Sequence, residues 1–208
     1  MAYIRSNKRD ITLDKLIDRS ITEVTSDALE VGKYAFSRCS SLTSVNLPNA
    51  AIIQQNGFDS CEELKEVNLP KVTYIDKSGF YSCTKLPSIN LPSIITLKNV
   101  AFAFCYRLAS VSLSSSTKND VIHFGSFVFN SSTDFHILII RSNAVAVLDD
   151  PGSSLFNNTC FAKGKSGGTL YVPQSLVSSY QNDTNWQTVL GVNANNQILA
   201  IEGSPYEE

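Results

Sequence analysis

Four consecutive stretches of the chain decide the fold: AFSRCSSLTSVNLP at 35–48, GFDSCEELKEVNLP at 57–70, GFYSCTKLPSINLP at 79–92 and AFAFCYRLASVSLS at 101–114. Equivalent positions in these stretches are 22 residues apart. The clearest of them are a phenylalanine and the cysteine three residues after it, at Phe36 and Cys39, Phe58 and Cys61, Phe80 and Cys83, Phe102 and Cys105. A period of this length is typical of a solenoid, in which each unit forms one turn and buries its apolar residues only against the neighbouring turns.

The end of each unit has the pattern of a short β-strand. The segment L-x-x-V-x-L alternates apolar and polar residues, so Val45 and Leu47 are predicted to point inward and Asn46 outward. Successive strands then pair in parallel, about 4.8 Å apart. Proline has no N–H to donate, so Pro48 and its equivalents end the pairing at the corner. Each unit opens with an inward aliphatic residue, at Val31, Ile53, Ile75 and Leu97.

The unit A-F-x-x-C-x-x-L-x-x-V-x-L-P resembles the BspA-type bacterial leucine-rich repeats over residues 31–113. The resemblance implies an α/β leucine-rich-repeat solenoid that is mostly β, a right-handed coil of about 22-residue turns with parallel strands and short helical caps. It also implies a non-enzymatic protein, related to bacterial surface proteins and phage tail components that contact host or neighbouring cell surfaces. We therefore expect a single domain over 1–208.

The repeat continues more loosely beyond residue 114. Phe127 with Asn130 fits the fifth phenylalanine and cysteine positions, and Phe135, Leu138 and Ile140 fit its strand two residues late. Phe156 opens a sixth unit, whose strand is residues 170–173. This predicts an N-terminal cap at 1–30, four regular repeats at 31–118, two divergent repeats at 119–173 and a C-terminal cap at 174–208.

Caps are expected at both ends because an open solenoid end exposes apolar edges. Residues 12–18 fit a short helix with Thr12 as its N-cap, followed by a first strand that contains Ile21 and Val24. At the other end, Ser175 is predicted to cap a helix through Tyr180, and Trp186 is predicted to cover the final turn.

Composition and charge exclude several classes of protein. Charged residues make up 17% of the chain, against about 25% in a typical globular protein. The net charge of −2 argues against a nucleic-acid partner, which would require a basic surface. No apolar run is long enough to insert into a membrane, and no signal peptide is apparent. We therefore expect a virion-associated or cytoplasmic protein, unless it is exported by an unrecognised route.

The four regularly spaced cysteines are predicted to be buried structural thiols. Equivalent side chains on stacked turns run parallel, so they cannot surround a zinc ion tetrahedrally or converge to form disulfides. We expect no metal and no cofactor.

Catalytic groups are sparse. The chain has two histidines, His123 and His136, and no G-x-S-x-G motif. His123 could approach Asp134, although nothing in the sequence orients a nucleophile towards this pair. The adjacent carboxylates Glu62 and Glu63 fit a surface ion pair with Lys85 better than a glycosidase pair. We predict no catalytic residues.

Two surfaces remain as candidates for binding. Polar side chains lie between and beside the inward residues of each strand and form a flat array on the sheet, at Ser44, Glu66, Ser88, Ser110, Asn46, Asn68, Asn90 and Ser112. Such an array can hydrogen-bond a glycan or a peptide. Alternatively, it is only the solvent-exposed face of a sheet whose other face packs on the core. Tyr81, Tyr106 and Arg107 form a possible aromatic patch, with Phe104 either beside them or turned inward next to Cys105.

The sequence thus supports a binding or adhesion module that recognises a protein or a glycan on a cell surface. The main alternative is an architectural subunit of a phage tail, baseplate or other assembly, and a hydrolytic enzyme is a distant third. The sequence leaves the oligomeric state open.

Overall fold

The computed structural model describes residues 3–6, 10–11, 19–115, 117, 120–150, 152, 154–162, 167–191 and 197–207. A helix predicted at 12–18 lies outside these residues. The elements, in chain order, are β1 (Tyr3–Ser6), β2 (Asp10–Ile11), β3 (Glu23–Ser26), β4 (Glu30–Val31), β5 (Ser44–Asn46), β6 (Ile52–Ile53), β7 (Glu66–Asn68), β8 (Tyr74–Ile75), β9 (Ser88–Leu91), β10 (Thr96–Leu97), β11 (Ser110–Ser114), β12 (His123–Phe124), β13 (Ile137–Arg141), β14 (Val147–Leu148), β15 (Thr169–Val172), a 3₁₀ helix (Gln174–Leu176), α1 (Val177–Asn182), α2 (Thr184–Leu190) and β16 (Ile198–Ala200).

Each turn of the chain contributes one strand to a front sheet and one two-residue strand to a back sheet. The front sheet has an N-terminal part, β1-β3-β5-β7, and a C-terminal part, β9-β11-β13-β15-β16. The back sheet runs without interruption from β2 through every even-numbered strand to β14. All of these pairs are parallel. The predicted solenoid is therefore confirmed. The sequence did not predict the back sheet, because its strands have only two residues each and are too short to show an alternating pattern.

The core lies between the two sheets and is built from columns of equivalent residues. Val45 and Leu47 are buried from the front strands, and Val31, Ile53, Ile75 and Leu97 are buried from the back strands. The phenylalanine column fills the third side, where consecutive rings stack with centroids 5.1, 5.0 and 5.3 Å apart from Phe36 to Phe102. Each turn thus packs against both of its neighbours, as the repeat predicts.

The backbone around each core phenylalanine forms a third inter-turn hydrogen-bond system, which we call the turn ladder. The Phe36 N–H donates to the carbonyl oxygen of Gly57 at 2.8 Å, and Phe58 donates to Gly79 at the same distance. Residues two before and two after the phenylalanine adopt left-handed backbone conformations, with φ of 58° at Tyr34 and 63° at Arg38. The chain passes tightly at Gly79, where a Cβ would lie 2.4 Å from Cγ2 of Ile75, so this turn has no room for a larger residue before its phenylalanine.

The buried cysteines are part of the same corner. Sγ of Cys61, Cys83 and Cys105 each donates to the carbonyl oxygen of the core phenylalanine one turn earlier, at 3.1, 3.2 and 3.1 Å. All five cysteines are free thiols. Burial raises the pKa of the Cys105 thiol to about 12 and also raises that of Cys83. The thiols therefore stay protonated at neutral and mildly alkaline pH, where they act as small hydrogen-bond donors.

We expect a single thiol to react when the native protein is treated with a disulfide reagent at pH 8. Thiolates react and thiols do not, so the four buried cysteines should be inert, while the partly exposed Cys160 is accessible. Titration with Ellman's reagent should give one equivalent in buffer and five in denaturant. Two or more fast equivalents, or stoichiometric zinc by elemental analysis, would contradict the structural role of the buried thiols.

The fifth turn has a different register from the one predicted. Phe129, and not Phe127, is the core phenylalanine: it is fully buried and stacks on Phe102 at 6.0 Å, whereas Phe127 is 39% exposed. Asn130 consequently does not replace the cysteine. That position is taken by Ser132, whose buried hydroxyl donates to the Phe102 carbonyl oxygen at 2.8 Å and so continues the thiol hydrogen bonds.

The shift in register has a simple origin. Phe102 and Phe129 are 27 residues apart, and β11 and β13 pair Val111 with Leu138 over the same interval. The turn therefore contains five extra residues, and its strand is in step with Phe129 rather than two residues late. Phe156 opens the sixth turn as predicted, and Leu170 lies in β15 beside Leu138.

The C-terminal cap is helical, but its capping residue differs from the prediction. A helix through Tyr180 is present, yet α1 begins after Leu176 with no side-chain cap, so Ser175 is not the N-cap. The capped helix is α2, where the Asp183 carboxylate accepts the N–H groups of Asn185 and Trp186. Trp186 is buried against Phe124 and Phe156, which confirms its predicted position over the last turns.

Candidate binding surface on the front sheet

The predicted polar array lies on the outer face of the front sheet. Parallel pairing places Ser44 beside Glu66 and Asn46 beside Asn68 on β5 and β7. It likewise places Ser88 beside Ser110 and Asn90 beside Ser112 on β9 and β11. The exposure alternates along β9, where Ser88 and Asn90 are exposed between buried residues.

Pro87 divides this array into two. In neighbouring turns the equivalent residue donates its N–H to the previous turn, as Lys65 donates to Thr43 at 2.9 Å and Ala109 donates to Pro87 at 2.8 Å. Proline has no such donor. Among the described front strands, β7 and β9 are the successive pair that does not form a ladder. The sequence showed this proline at a donor position, and the break could have been predicted from it.

The asparagines differ across the break. The side-chain amide of Asn68 donates to the side-chain oxygen of Asn46 at 2.8 Å, so these two side chains form a hydrogen bond with each other. The side chain of Asn90 forms no hydrogen bond within the described part of the chain and is exposed to solvent. The three amides therefore do not act as one continuous ladder.

Beyond Ser112 its outward column becomes apolar. In register with Ser112 lie Ile139, then Tyr171, then Leu199. Ile139 is only 5% exposed although it points outward, because the end of the chain folds back over the sheet. We call residues 201–207 the tail.

The tail is fixed to the solenoid by several contacts. Nη2 of Arg141 donates to the Tyr206 carbonyl oxygen at 2.7 Å, and the Tyr206 ring packs edge-on against Tyr171 at 4.9 Å. Further along, the Glu202 carboxylate accepts the Gln174 N–H at 2.7 Å. Nη1 of Arg141 also donates to the Ser112 hydroxyl at 2.7 Å, so the guanidinium joins tail and sheet.

A cleft of about 390 Å³ lies between the tail and the sheet, and we call it the tail cleft. Its lining consists of small polar residues of β9 and β11, apolar residues beneath them, and the tail: Ser88, Ile89, Asn90, Pro92, Ser110, Ser112, Ser114, Ile139, Arg141, Pro205 and Tyr206. Four predicted residues, Ser88, Asn90, Ser110 and Ser112, therefore meet in one site. Ser44, Asn46, Glu66 and Asn68 lie on the other side of the Pro87 break.

The predicted aromatic patch is present at the turn-ladder corner. The rings of Tyr81 and Phe104 lie 5.2 Å apart, and Phe104 contacts Tyr106 edge-on at 6.2 Å. Phe104 has φ of 60°, a left-handed conformation, and is half-buried beside these tyrosines. Arg107 is largely exposed and forms a 3.5 Å ion pair with Asp134.

The titratable groups form surface ion pairs. His123 lies beside Asp149, at 3.1 Å, rather than Asp134, because β12 pairs with β14 and so places Val147 next to His123 in the back sheet, with Asp149 two residues further on. Lys98 reaches the same carboxylate at 3.4 Å. The hydrogen bond from Lys85 lowers the pKa of Glu63, at an N–O distance of 2.6 Å. Across the described part of the chain, no group of three or more His, Cys, Asp or Glu side chains is placed to hold a metal ion.

The repeat geometry has a counterpart among known families. The family model described as "BspA type Leucine rich repeat region" matches residues 29–162 in six copies. The chain belongs to the BspA-type leucine-rich repeat family.

Solved structures with this fold include two bacterial leucine-rich repeat proteins. A T. pallidum leucine-rich repeat protein is 22% identical with a TM-score of 0.55, and the match covers 74% of this chain and 69% of that one. A leucine-rich repeat protein from Bacteroides ovatus is 22% identical with a TM-score of 0.50, over 68% of this chain but only 37% of its own length. No curated protein is significantly similar to the chain.

As a BspA-type repeat protein, the chain belongs to a class that generally serves protein interaction or surface binding. The tail cleft lies mostly on the repeats, but its outer wall comes from residues beyond the matched region. Sequence reasoning missed Pro205 and Tyr206 for this reason, and it missed Arg141, which lies within the matched region, because no periodic pattern marks it. Within the described residues, no helix is long and apolar enough to cross a membrane.

Proposed function

We propose that this protein is a non-enzymatic recognition module that binds a glycan or a protein segment of a cell surface in the tail cleft. The observation that carries the proposal is the cleft itself, in which four predicted polar residues meet two tail residues and an arginine. Its volume of about 390 Å³ falls within the usual range of ligand pockets, roughly 300–1,000 Å³.

The chemistry of the lining supports binding rather than catalysis. Hydroxyl and amide groups at Ser110, Ser112 and Asn90 donate and accept hydrogen bonds without a nucleophile and base in contact. The nearest arrangement to a catalytic pair, His123 with Asp149, lies on the back sheet, away from the cleft. Extended faces of solenoids are common recognition surfaces.

An architectural role is the second candidate, and the aromatic patch favours it. Tyr106 is 45% exposed beside Tyr81, Phe104 and Arg107, and exposed Tyr, Phe and Arg are enriched in protein–protein interfaces. In a phage tail, baseplate or other assembly this patch would contact a neighbouring subunit. The Tyr81→Ala, Tyr106→Ala double variant would then lose assembly while keeping ligand binding in the cleft.

Filling the cleft should abolish binding, whereas the same change elsewhere on the sheet should not. Ser110→Trp places an indole in the tail cleft, and Ser44→Trp places one in the same column on β5, across the Pro87 break. Both serines are half-buried on the outer face, so the two variants should be folded to a similar extent. We expect at least a tenfold loss of binding for Ser110→Trp and less than a twofold change for Ser44→Trp.

The measurement is binding of the labelled protein to arrays of bacterial and host glycans and of surface-protein peptides, with circular dichroism as the folding check. Equal effects of the two variants would place the ligand site elsewhere. If the wild-type protein binds nothing on any array, the recognition function is wrong and the architectural role replaces it.

A further inference from the structure

The tail cleft contains a positive charge that no ion pair among the described residues neutralises. Arg141 is the charged residue of its lining, and none of the ion pairs among the described residues involves it. Its two hydrogen bonds, to the Ser112 hydroxyl and the Tyr206 carbonyl oxygen, use neutral acceptors. A guanidinium has five N–H donors, so the remaining donors are available to a ligand.

The two hydrogen bonds also fix the orientation of the guanidinium. One joins it to β11 and the other to the tail, both at 2.7 Å, so the planar group is held in the cleft rather than free in solvent. A fixed, planar pair of N–H groups matches the two oxygens of a carboxylate. The arginine side chain has therefore lost its conformational entropy before the ligand binds, so binding loses less entropy.

The other walls of the cleft suit a sugar. Short hydroxyl groups line the floor at Ser110, Ser112 and Ser114, and the amide of Asn90 has no partner within the described chain. Tyr206 stands at the edge, with its ring held against Tyr171 at 4.9 Å. An aromatic face beside hydroxyl and amide groups can pack against the C–H groups of a sugar ring while the polar groups bond its hydroxyls.

The floor does not suit an extended peptide. Peptides that bind to sheets gain their affinity by pairing with a free strand edge. Strand β11 is paired on both sides, with β9 and β13, and β13 is paired with β11 and β15. No backbone edge is therefore open on β11 or β13, at the centre of the cleft, and recognition there depends on side chains; β9, at the border of the cleft, pairs only with β11.

We propose that the tail cleft binds an acidic saccharide, with the sugar carboxylate on the Arg141 guanidinium and the sugar ring against Tyr206. This inference rests on the proposed function and specifies its ligand class. It makes two independent demands, that the ligand has a sugar ring and that the ring has a carboxylate.

The first experiment changes the ligand and leaves the protein intact. The wild-type protein is titrated by calorimetry with trigalacturonate and with its methyl ester, and with sialyllactose and lactose, in 50 mM and 500 mM salt. We expect at least one acidic sugar to bind ten times or more tightly than its neutral counterpart. This preference should diminish in the higher salt, which screens charge pairs.

The second experiment changes the protein. Arg141→Met removes the charge and keeps much of the apolar stem, while Arg107→Met makes the same change in the exposed ion pair with Asp134. We expect Arg141→Met to abolish the preference for the acidic sugar and Arg107→Met to retain it. Because Arg141→Met also loses the tail contact, Arg141→Lys is included, and it should retain part of the preference.

The possible outcomes separate the inference from the function on which it rests. Equal binding of an acidic sugar and its neutral counterpart would overturn the inference and leave the recognition function intact. The same holds if acidic peptides bind in the cleft and sugars do not. If neither sugars nor peptides bind, both the inference and the recognition function are wrong.

Discussion

Replacing Phe129 with alanine should lower the free energy of unfolding by about 3–5 kcal/mol, the usual cost of truncating a buried phenylalanine. The ring is fully buried at the junction of the regular and divergent turns. It lies 4.4 Å from the Phe135 ring, 6.0 Å from Phe102 and 6.0 Å from Phe156. For a chain of this size, the midpoint temperature of thermal unfolding should fall by about 10 °C.

The shape of the thermal unfolding transition of Phe129→Ala should change as well. In a solenoid each turn is stabilised by its neighbours, so a defect between two groups of turns uncouples them. Calorimetry should show a broadened or split transition. Hydrogen exchange should show that turns beyond residue 129 open before β5 and β7.

Phe127→Ala is the matched control, since it makes the same substitution two residues away. Its ring is 39% exposed, and we expect a change of less than about 1 kcal/mol. If Phe127→Ala were the more destabilising variant, the register that places Phe129 in the core of the fifth turn would be wrong.

Replacing Trp186 with alanine should have a comparable effect at the C-terminal end. The indole is 1% exposed and covers Phe124 and Phe156, while its Nε1–H donates to the Ala146 carbonyl oxygen at 2.8 Å. The neighbouring Tyr180 hydroxyl accepts the Ala146 N–H at 2.9 Å, so the cap bonds both the backbone N–H and the backbone C=O of Ala146. We expect a loss of about 3–5 kcal/mol in urea unfolding.

Trp186→Phe separates the two contributions of the indole. It keeps most of the ring contact but leaves the buried Ala146 oxygen without its donor, which typically costs about 1–3 kcal/mol. A smaller loss than for Trp186→Ala is therefore expected. Equal losses for both variants would mean that the hydrogen bond, and not the covering of the aromatic column, holds the cap in place.

The regular turns could be predicted from sequence because each turn is stabilised by the same contacts. A buried residue at Phe58 implies a buried residue at Phe80, since one packs directly on the other. The prediction failed where an insertion changed the period. Phe127 and Phe129 are both aromatic and two residues apart, and only the strand pairing of Leu138 with Val111 decides between them.

The binding site was harder to predict than the fold. Ser88, Asn90, Ser110 and Ser112 could be placed on the outer face by alternation alone. The arginine and the tail could not, because Arg141 and Tyr206 are 65 residues apart and no periodic pattern links them. The division of the array at Pro87 can be predicted from the sequence, because proline lacks the backbone N–H that the equivalent residues of the neighbouring turns donate.

The turn ladder has an electrical polarity of its own. Each peptide group in it accepts from the preceding turn and donates to the following one: Phe36 N–H bonds Gly57, Phe58 N–H bonds Gly79, Phe80 N–H bonds Ala101, Phe102 N–H bonds Val128 and Phe129 N–H bonds Leu155. Within the ladder these peptide dipoles add head to tail, as they do in an α-helix, with the negative pole towards the N-terminal turns and the positive pole towards the C-terminal turns. In the back sheet, the N–H groups of Gln54, Asp76 and Lys98 donate the opposite way, to the preceding turn.

Charged residues are spread unevenly along the sequence. Five of the 17 basic residues lie within residues 5–19, and residues 166–208 contain four carboxylates and no lysine or arginine. Opposite charges near the ends of an aligned row of peptides are stabilising. Along the sequence, the excess of basic residues therefore lies towards the negative end of the turn ladder, and the excess of carboxylates lies towards its positive end.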